Sequence, residues 1–232
     1  MTDKIITAED YTLELDLKRS LLDPKKRHLS ITKESIQYES KVIYFRDISD
    51  IRYGILQMVV NGIKASKIYE IRLRDTYKNQ MRITFATTLN IKNKSVLEIY
   101  NTIIDSLWYA YTGKQIDKYF NDLMKGKNVI INQCELTPHG INIRIWKFFS
   151  KKTFFIPWHE CLKSYRNGFL QIYSSKKKGI KAQMNLMNKW NNVVLSSLLE
   201  WLWKEGRTTV LKDKNKFSSL GTETTKKLVP FE

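Results

Sequence analysis

Hydrophobic and polar residues alternate along the first part of the chain, and the spacing then changes. Strict alternation occurs in residues 11–17 and 69–73, and residues 36–44 continue in a similar style. A period of two is typical of a strand with one buried face. In residues 96–111, apolar residues recur instead at every third or fourth position. This spacing predicts an amphipathic helix, which we expect to end at Gly113.

The same order of patterns returns in the second part of the chain. Alternation reappears in residues 141–146, further strands are expected in residues 153–158 and 169–173, and helical spacing follows in residues 193–202. A shorter helical pattern, residues 116–124, lies between the two parts. The sequence therefore predicts several short strands and then one helix, twice.

Short sequence matches support an internal duplication. Ile31-Thr32-x-x-Ser35-Ile36 resembles Leu136-Thr137-x-x-Gly140-Ile141, and the turn signal Asn61-Gly62 resembles Asn167-Gly168. A period of about a hundred residues indicates duplicated domains, because solenoid repeats are much shorter. We predict a first domain (1–113), a helical linker (114–126), a second domain (127–206) and a flexible tail rich in Lys, Ser and Thr (207–232).

Composition narrows the class of protein. The chain has 232 residues, of which 42% are hydrophobic, and only two of them are Cys. This apolar content excludes disorder over the whole length, and two Cys exclude a disulfide framework. The sequence begins without a secretory pattern and has no run of eighteen apolar residues. We therefore expect a cytoplasmic location, which is compatible with peripheral association with the membrane.

Basic residues are concentrated in the second half. Residues 1–113 contain 18 basic and 14 acidic side chains, whereas residues 114–232 contain 22 and 9. Within residues 144–181, Glu160 is the only acid. A general bias towards Lys codons explains this asymmetry poorly. The pattern favours an electropositive surface whose partner is phospholipid, nucleic acid or an acidic protein.

The second part of the chain resembles the bacterial and GRAM-like branch of the pleckstrin-homology-like fold. The resemblance is carried by the string LTPHGINIRI, the strand that ends at Trp158 and the final helix rich in Trp and Leu. The first part resembles a more divergent copy. The resemblance implies an α+β fold, mainly β, with two half-open barrels, each closed by a C-terminal amphipathic helix. Trp201 or Trp203 would close the second barrel.

The resemblance also implies a binding module, because members of this fold bind phosphoinositides, other lipids, peptides or proteins. Phe148 and Phe149, at the end of an expected hairpin, would contact a membrane or partner; the alternative for both is core packing. The anion-binding residues we expect are Arg144, Lys147, Lys151, Lys152, Lys176, Lys177, Lys178 and Lys181.

The sequence contains no phosphate-binding loop, dinucleotide fingerprint or nucleophile elbow. We therefore expect no enzymatic activity and no cofactor. Cys134, His139, His159 and Cys161 are a conceivable zinc set, but their spacing does not match the usual patterns, so we expect no metal site. Asp47 and Asp50 fit turn or solvent-facing roles better than catalysis.

The preferred function is binding of an anionic membrane surface or an acidic protein by the basic face of the second domain. Two alternatives remain open. The first is a nucleic-acid-binding protein, with Phe148, Phe149 and Tyr173 as stacking platforms. The second is an assembly subunit that pairs through exposed sheet edges.

Overall fold

The protein is mainly β and divides into two compact units, Met1–Gly113 and Lys114–Glu232. Four antiparallel sheets and three α-helices make up the described part of the chain, in agreement with the predicted mainly β, α+β class. The computed structural model describes residues 12–19, 23, 25–61, 63–87, 93–147 and 150–204. The predicted tail, 207–232, lies outside these residues.

The first unit contains two antiparallel meanders followed by a helix. Four strands form one sheet: β1 (Leu13–Lys18), β2 (Lys26–Ile31), β3 (Ser35–Tyr38) and β4 (Lys41–Tyr44). Three strands form the next: β5 (Ile48–Val60), β6 (Ile63–Asp75) and β7 (Gln80–Ala86). Helix α1 (Asn93–Leu107) follows.

The core of the first unit follows from strand alternation. Every second residue from Tyr69 to Leu73 in β6 and from Met81 to Phe85 in β7 is buried on one face of the sheet. The rings of Tyr69 and Phe85 stack with centroids 5.5 Å apart. Tyr100 of α1 completes the cluster, with its ring centroid 5.3 Å from that of Tyr69. The apolar stripe of α1 is therefore covered by this sheet, as its spacing requires.

The expected helix end at Gly113 is wrong. Helical backbone continues through a π-helical turn, Trp108–Thr112, into α2 (Gly113–Met124). Gly113 itself has φ −59°, and its N–H donates to the carbonyl of Trp108. A glycine that ends a helix usually adopts positive φ. Here a Cβ would lie 3.2 Å from the Trp108 carbonyl oxygen and 3.4 Å from the indole nitrogen, so Gly113 accommodates the packed Trp108.

The second unit begins with α2 and repeats the order of the first. The four-stranded sheet contains β8 (Val129–Ile131), β9 (Cys134–Thr137), β10 (Gly140–Lys147) and β11 (Ser150–Pro157). The three-stranded sheet contains β12 (Cys161–Arg166), β13 (Phe169–Ser174) and β14 (Lys181–Asn185). Helix α3 (Asn192–Lys204) follows. The region predicted as a helical linker, 114–126, contains most of α2 and falls within the second unit.

Aromatic side chains hold α3 in place within the second unit. Trp201 is buried and meets Phe120 of α2 edge to face, with ring centroids 4.6 Å apart. Trp203 meets the buried Trp158 at 5.7 Å in the same manner. Edge-to-face pairs add to the free energy gained from burial of the rings. Both residues expected to close the second unit therefore make aromatic contacts within it.

The turn between the second and third strands is built in the same way in the two units, and it contains the repeated sequence motif described above. The Thr32 hydroxyl accepts the N–H of Ser35 at 3.1 Å and contacts its carbonyl oxygen at 3.3 Å. The Thr137 hydroxyl makes the same two contacts with Gly140, at 3.1 and 3.0 Å. In both places, the threonine hydroxyl bonds to the backbone of the residue three positions further on and so holds the turn closed.

A second shared feature is the corner that connects the two sheets of each unit. A short 3₁₀ turn forms each corner, Phe45–Asp47 in the first unit and Trp158–Glu160 in the second. The carbonyl of Asp47 accepts the N–H of Thr76, and that of Glu160 accepts the N–H of Ser175, both at 2.8 Å. In each unit, the last residue of the corner thus accepts a backbone hydrogen bond from the segment that follows the second strand of the three-stranded sheet.

Candidate anion-binding surface of the second unit

The first part of the candidate site is the outer face of the β10–β11 hairpin. Arg144 and Trp146 lie two residues apart on β10, so they share a face. Lys151 is paired with Trp146 in the strand register, and its Nζ lies 5.3 Å from the centroid of the indole ring. Trp146 is 70% exposed. The hairpin therefore presents an aromatic surface with an ammonium group and a guanidinium group beside it.

The remaining predicted residues of the hairpin are placed differently. Lys152 is exposed but is paired with Ile145, so it lies on the opposite face from Lys151. Lys147 ends β10, and Phe148 and Phe149 lie outside the described residues. The sequence analysis missed Trp146 as a contact residue. The alternation of buried Ile141 and Ile143 with Arg144 and Trp146 was the signal that could have identified it.

The second part is the loop between β13 and β14, where Lys176, Lys177 and Lys178 are exposed. Its backbone is held by the Ser174 hydroxyl, which accepts the N–H groups of Lys176 at 3.3 Å and Lys177 at 3.0 Å. Gly179, with φ +83°, allows the loop to turn into β14. The lysines are therefore presented on an ordered loop.

A cavity of about 410 Å³ lies beside this loop on the outer face of β12, β13 and β14. Three lysines line it, Lys177, Lys178 and Lys181. Ser164, Gln171 and Tyr173 also line it, whereas no Asp or Glu is among the described lining residues. Ammonium and hydroxyl donors without a competing carboxylate form a suitable environment for a phosphate or another oxyanion.

Lys176 has a different role from its two neighbours. Its Nζ lies 3.5 Å from the carboxylate of Glu160, and it does not line the cavity. The structure thus brings Lys177, Lys178 and Lys181 together, and it separates Lys176 from them by this ion pair. Ser164 and Gln171 could not be found from the sequence, because their place in the cavity depends on the cross-strand register.

The arginine-rich face of the first unit is charge-paired. Glu70 contacts Arg72 at 2.7 Å and Arg82 at 2.6 Å, and Asp50 contacts Arg74 at 2.8 Å. Burial opposes the ionisation of Glu70, but these two arginines outweigh burial and hold its pKa below the ordinary value. Glu70 and Asp50 are therefore ion-paired with three arginines of this face, whereas no acid is among the described residues that line the cavity of the second unit.

The four residues weighed as zinc ligands do not form a common site. Cys134 and Cys161 are buried, with the Cys134 sulfur 3.8 Å from that of Met184, whereas His139 and His159 are exposed. Burial raises the pKa of both thiols to about 12, whereas zinc binds the thiolate. Within the described ranges, no group of three or more His, Cys, Asp or Glu side chains is arranged to hold a metal ion.

These thiols provide a test by chemical labelling. We expect both to react with iodoacetamide at pH 8 roughly a thousandfold more slowly in the native protein than in denaturant, since burial keeps them protonated. The thiols contribute stability that is fully present below their unfolded pKa of about 8.5 and is lost as the pH rises towards 12. Urea titrations at pH 8 and pH 10 would measure this loss of stability. Rapid labelling of the native thiols at pH 8 would contradict their protonation by burial.

Comparison with known proteins gives no family assignment: no protein-family model matches the chain, and no curated protein shows significant similarity to it. A search of the described helices finds none with the length and apolar character needed to cross a bilayer.

Proposed function

We propose that the protein is a non-enzymatic binding module whose second unit binds an anionic phospholipid surface. The observation that carries this proposal is the cavity lined by Lys177, Lys178 and Lys181 without an acidic residue among its described lining. A phosphate group in the cavity would meet three ammonium groups at once, each of which contributes about 1 kcal/mol near an anionic membrane.

The exposed tryptophan favours a bilayer over a free anion. Trp146 has an apolar ring and one polar N–H, which suits the boundary between headgroups and acyl chains. Arg144 and Lys151 lie on the same face of the hairpin, where they would meet anionic headgroups. A nucleic acid would also attract the lysines, but Lys outnumbers Arg strongly in this region and base recognition commonly uses Arg.

The fold that we propose for each unit is the pleckstrin-homology-like half-open barrel, duplicated within one chain. Support comes from the element order: a four-stranded meander, a 3₁₀ corner, a three-stranded meander and a helix, in both units. The matching contacts of Thr32 and Thr137 further support a duplication. Such a fold is a scaffold for binding sites, and the particular ligand is argued from the residues of the site.

Sedimentation with liposomes tests the proposed function. We expect the protein to remain in solution with phosphatidylcholine vesicles and to sediment when phosphatidylserine is included. Because the attraction is electrostatic, added salt should weaken the binding. Adding inorganic phosphate to the anionic vesicles, at constant ionic strength, tests whether the site binds a free anion instead. If the site recognises the membrane surface, phosphate should not release the protein from the vesicles. Equal sedimentation with neutral and anionic vesicles, or none with either at low salt, would overturn the proposal.

A further inference from the structure

The β5–β6 hairpin of the first unit extends beyond the sheet that supports it. Both strands have thirteen residues, whereas β12 and β13 of the second unit have six each. The third strand stops supporting the hairpin at Lys67, where Thr87 donates its N–H to the Lys67 carbonyl at 2.9 Å. Gln57 is paired with Lys67. The hairpin beyond this rung extends roughly 10 Å, at about 3.3 Å per residue.

The outer half of β5, from Ile55 to Val59, exposes apolar side chains on both of its faces: Ile55 and Leu56 lie in the last rows that β7 supports, and Met58 and Val59 lie in the extended part. Ile55 and Leu56 are consecutive strand residues, so they point to opposite faces, and they are 39% and 47% exposed. Met58 and Val59 are 45% and 57% exposed. A groove of a folded protein would cover one face of such a ribbon and leave the other in water. Burial of both faces requires an apolar medium around the hairpin.

The charges around the hairpin favour an anionic medium. Between Ile51 and Tyr69 the sequence contains Arg52, Lys64 and Lys67 and no Asp or Glu. Apolar side chains together with cations and no acid are typical of segments that enter the headgroup boundary of an anionic bilayer, at a depth of roughly 5–10 Å. The length of the extended part matches this depth.

We propose that the β5–β6 hairpin inserts into the boundary of an anionic phospholipid bilayer, which adds a second membrane contact in the first unit. This inference rests on the proposed function for the identity of the partner, but it makes a separate claim about where the chain enters the membrane. Its occupant is the lipid surface itself, with Met58 and Val59 of the extended part in contact with acyl chains and Ile55 and Leu56 at the level of the headgroups.

A single labelled cysteine locates the insertion. Met58→Cys carries an environment-sensitive fluorophore near the tip of the hairpin, on β5. Tyr77→Cys carries it in the turn after β6, at the end of the hairpin away from its tip, where Tyr77 is 78% exposed. The buried Cys134 and Cys161 should remain unlabelled in the native protein, because burial raises the pKa of both thiols.

With vesicles that contain phosphatidylserine, we expect the fluorescence at position 58 to shift to shorter wavelength and that at position 77 to stay unchanged. Sedimentation of the same samples distinguishes the two claims. Protein that sediments without a change at position 58 overturns the insertion and leaves the proposed function intact. Protein that fails to sediment overturns both, and equal changes at both positions overturn a specific role for the hairpin.

A matched pair of substitutions provides a second measurement. Leu56 and Val42 lie in the same unit and are equally exposed, at 47% each. We expect Leu56→Asp to lower vesicle binding roughly tenfold or more, because the bilayer loses an apolar side chain and gains a like charge. Val42→Asp makes the same change of charge on β4 and should lower binding less than threefold. Equal losses of binding in the two variants would overturn the insertion. So would self-association of the protein in the absence of vesicles, if Leu56→Asp abolished it.

Discussion

Reversing the charge of the three cavity lysines should lower the affinity for phosphatidylserine vesicles by about a hundredfold or more. In the variant Lys177→Glu, Lys178→Glu, Lys181→Glu, each site changes from attraction to repulsion. Each ammonium contributes about 1 kcal/mol near an anionic surface, and every 1.4 kcal/mol is a factor of ten. All three line the same cavity, so their losses should combine.

A control variant separates the cavity from the overall charge. Lys114, Lys118 and Lys125 are exposed residues in or next to α2, in the same unit. Their reversal changes the net charge by the same amount without altering the cavity. We expect this control to lose less than tenfold in affinity, because distant charges are screened by salt. Equal losses in the two variants would show that binding depends on net charge alone.

The second large effect concerns stability: Trp158→Ala should destabilise the second unit by about 3–5 kcal/mol. Trp158 is buried at the corner between the two sheets, and its indole N–H lies 3.1 Å from the Thr137 carbonyl oxygen and 3.2 Å from that of Pro138. The substitution removes this bond and leaves a cavity beside Trp203. Urea denaturation followed by near-ultraviolet circular dichroism would measure the change, fitted with one transition for each unit.

Trp146 is the natural control for this experiment. It belongs to the same unit but is 70% exposed. Trp146→Ala should change stability by less than about 0.5 kcal/mol, and it should weaken vesicle binding. Trp158→Phe keeps most of the apolar ring and should cost less than Trp158→Ala. If Trp146→Ala destabilises the unit as strongly as Trp158→Ala, the assignment of one tryptophan to the surface and the other to the core is wrong.

The element order that the two units have in common separates the features of the shared architecture from those specific to one unit. The threonine turns and the 3₁₀ corners occur in both units, so their contacts form part of the shared architecture. The long β5–β6 hairpin occurs in the first unit and the lysine cavity in the second. In the first unit, Glu70 and Asp50 form ion pairs with Arg72, Arg82 and Arg74. The features specific to one unit are therefore the candidates for binding.

Much of the element order could be predicted from the sequence because the relevant interactions are local. A strand with one buried face requires alternation, and this is visible in Ile141–Trp146 and in Tyr69–Leu73. Boundaries were less predictable. The prediction that the helix ends at Gly113 was wrong because a glycine inside a helix can also accommodate a closely packed neighbour, here Trp108.

The sequence by itself determined the mainly β class, the repeated order of elements and the concentration of basic residues in the second half, since backbone periodicity and charge are properties of neighbouring residues. Only the tertiary structure decided that Lys177, Lys178 and Lys181 meet Ser164 and Tyr173 around one cavity while Lys176 pairs with Glu160. Such meetings depend on strand register and on loops held by distant backbone groups, which bring together residues that are far apart in sequence.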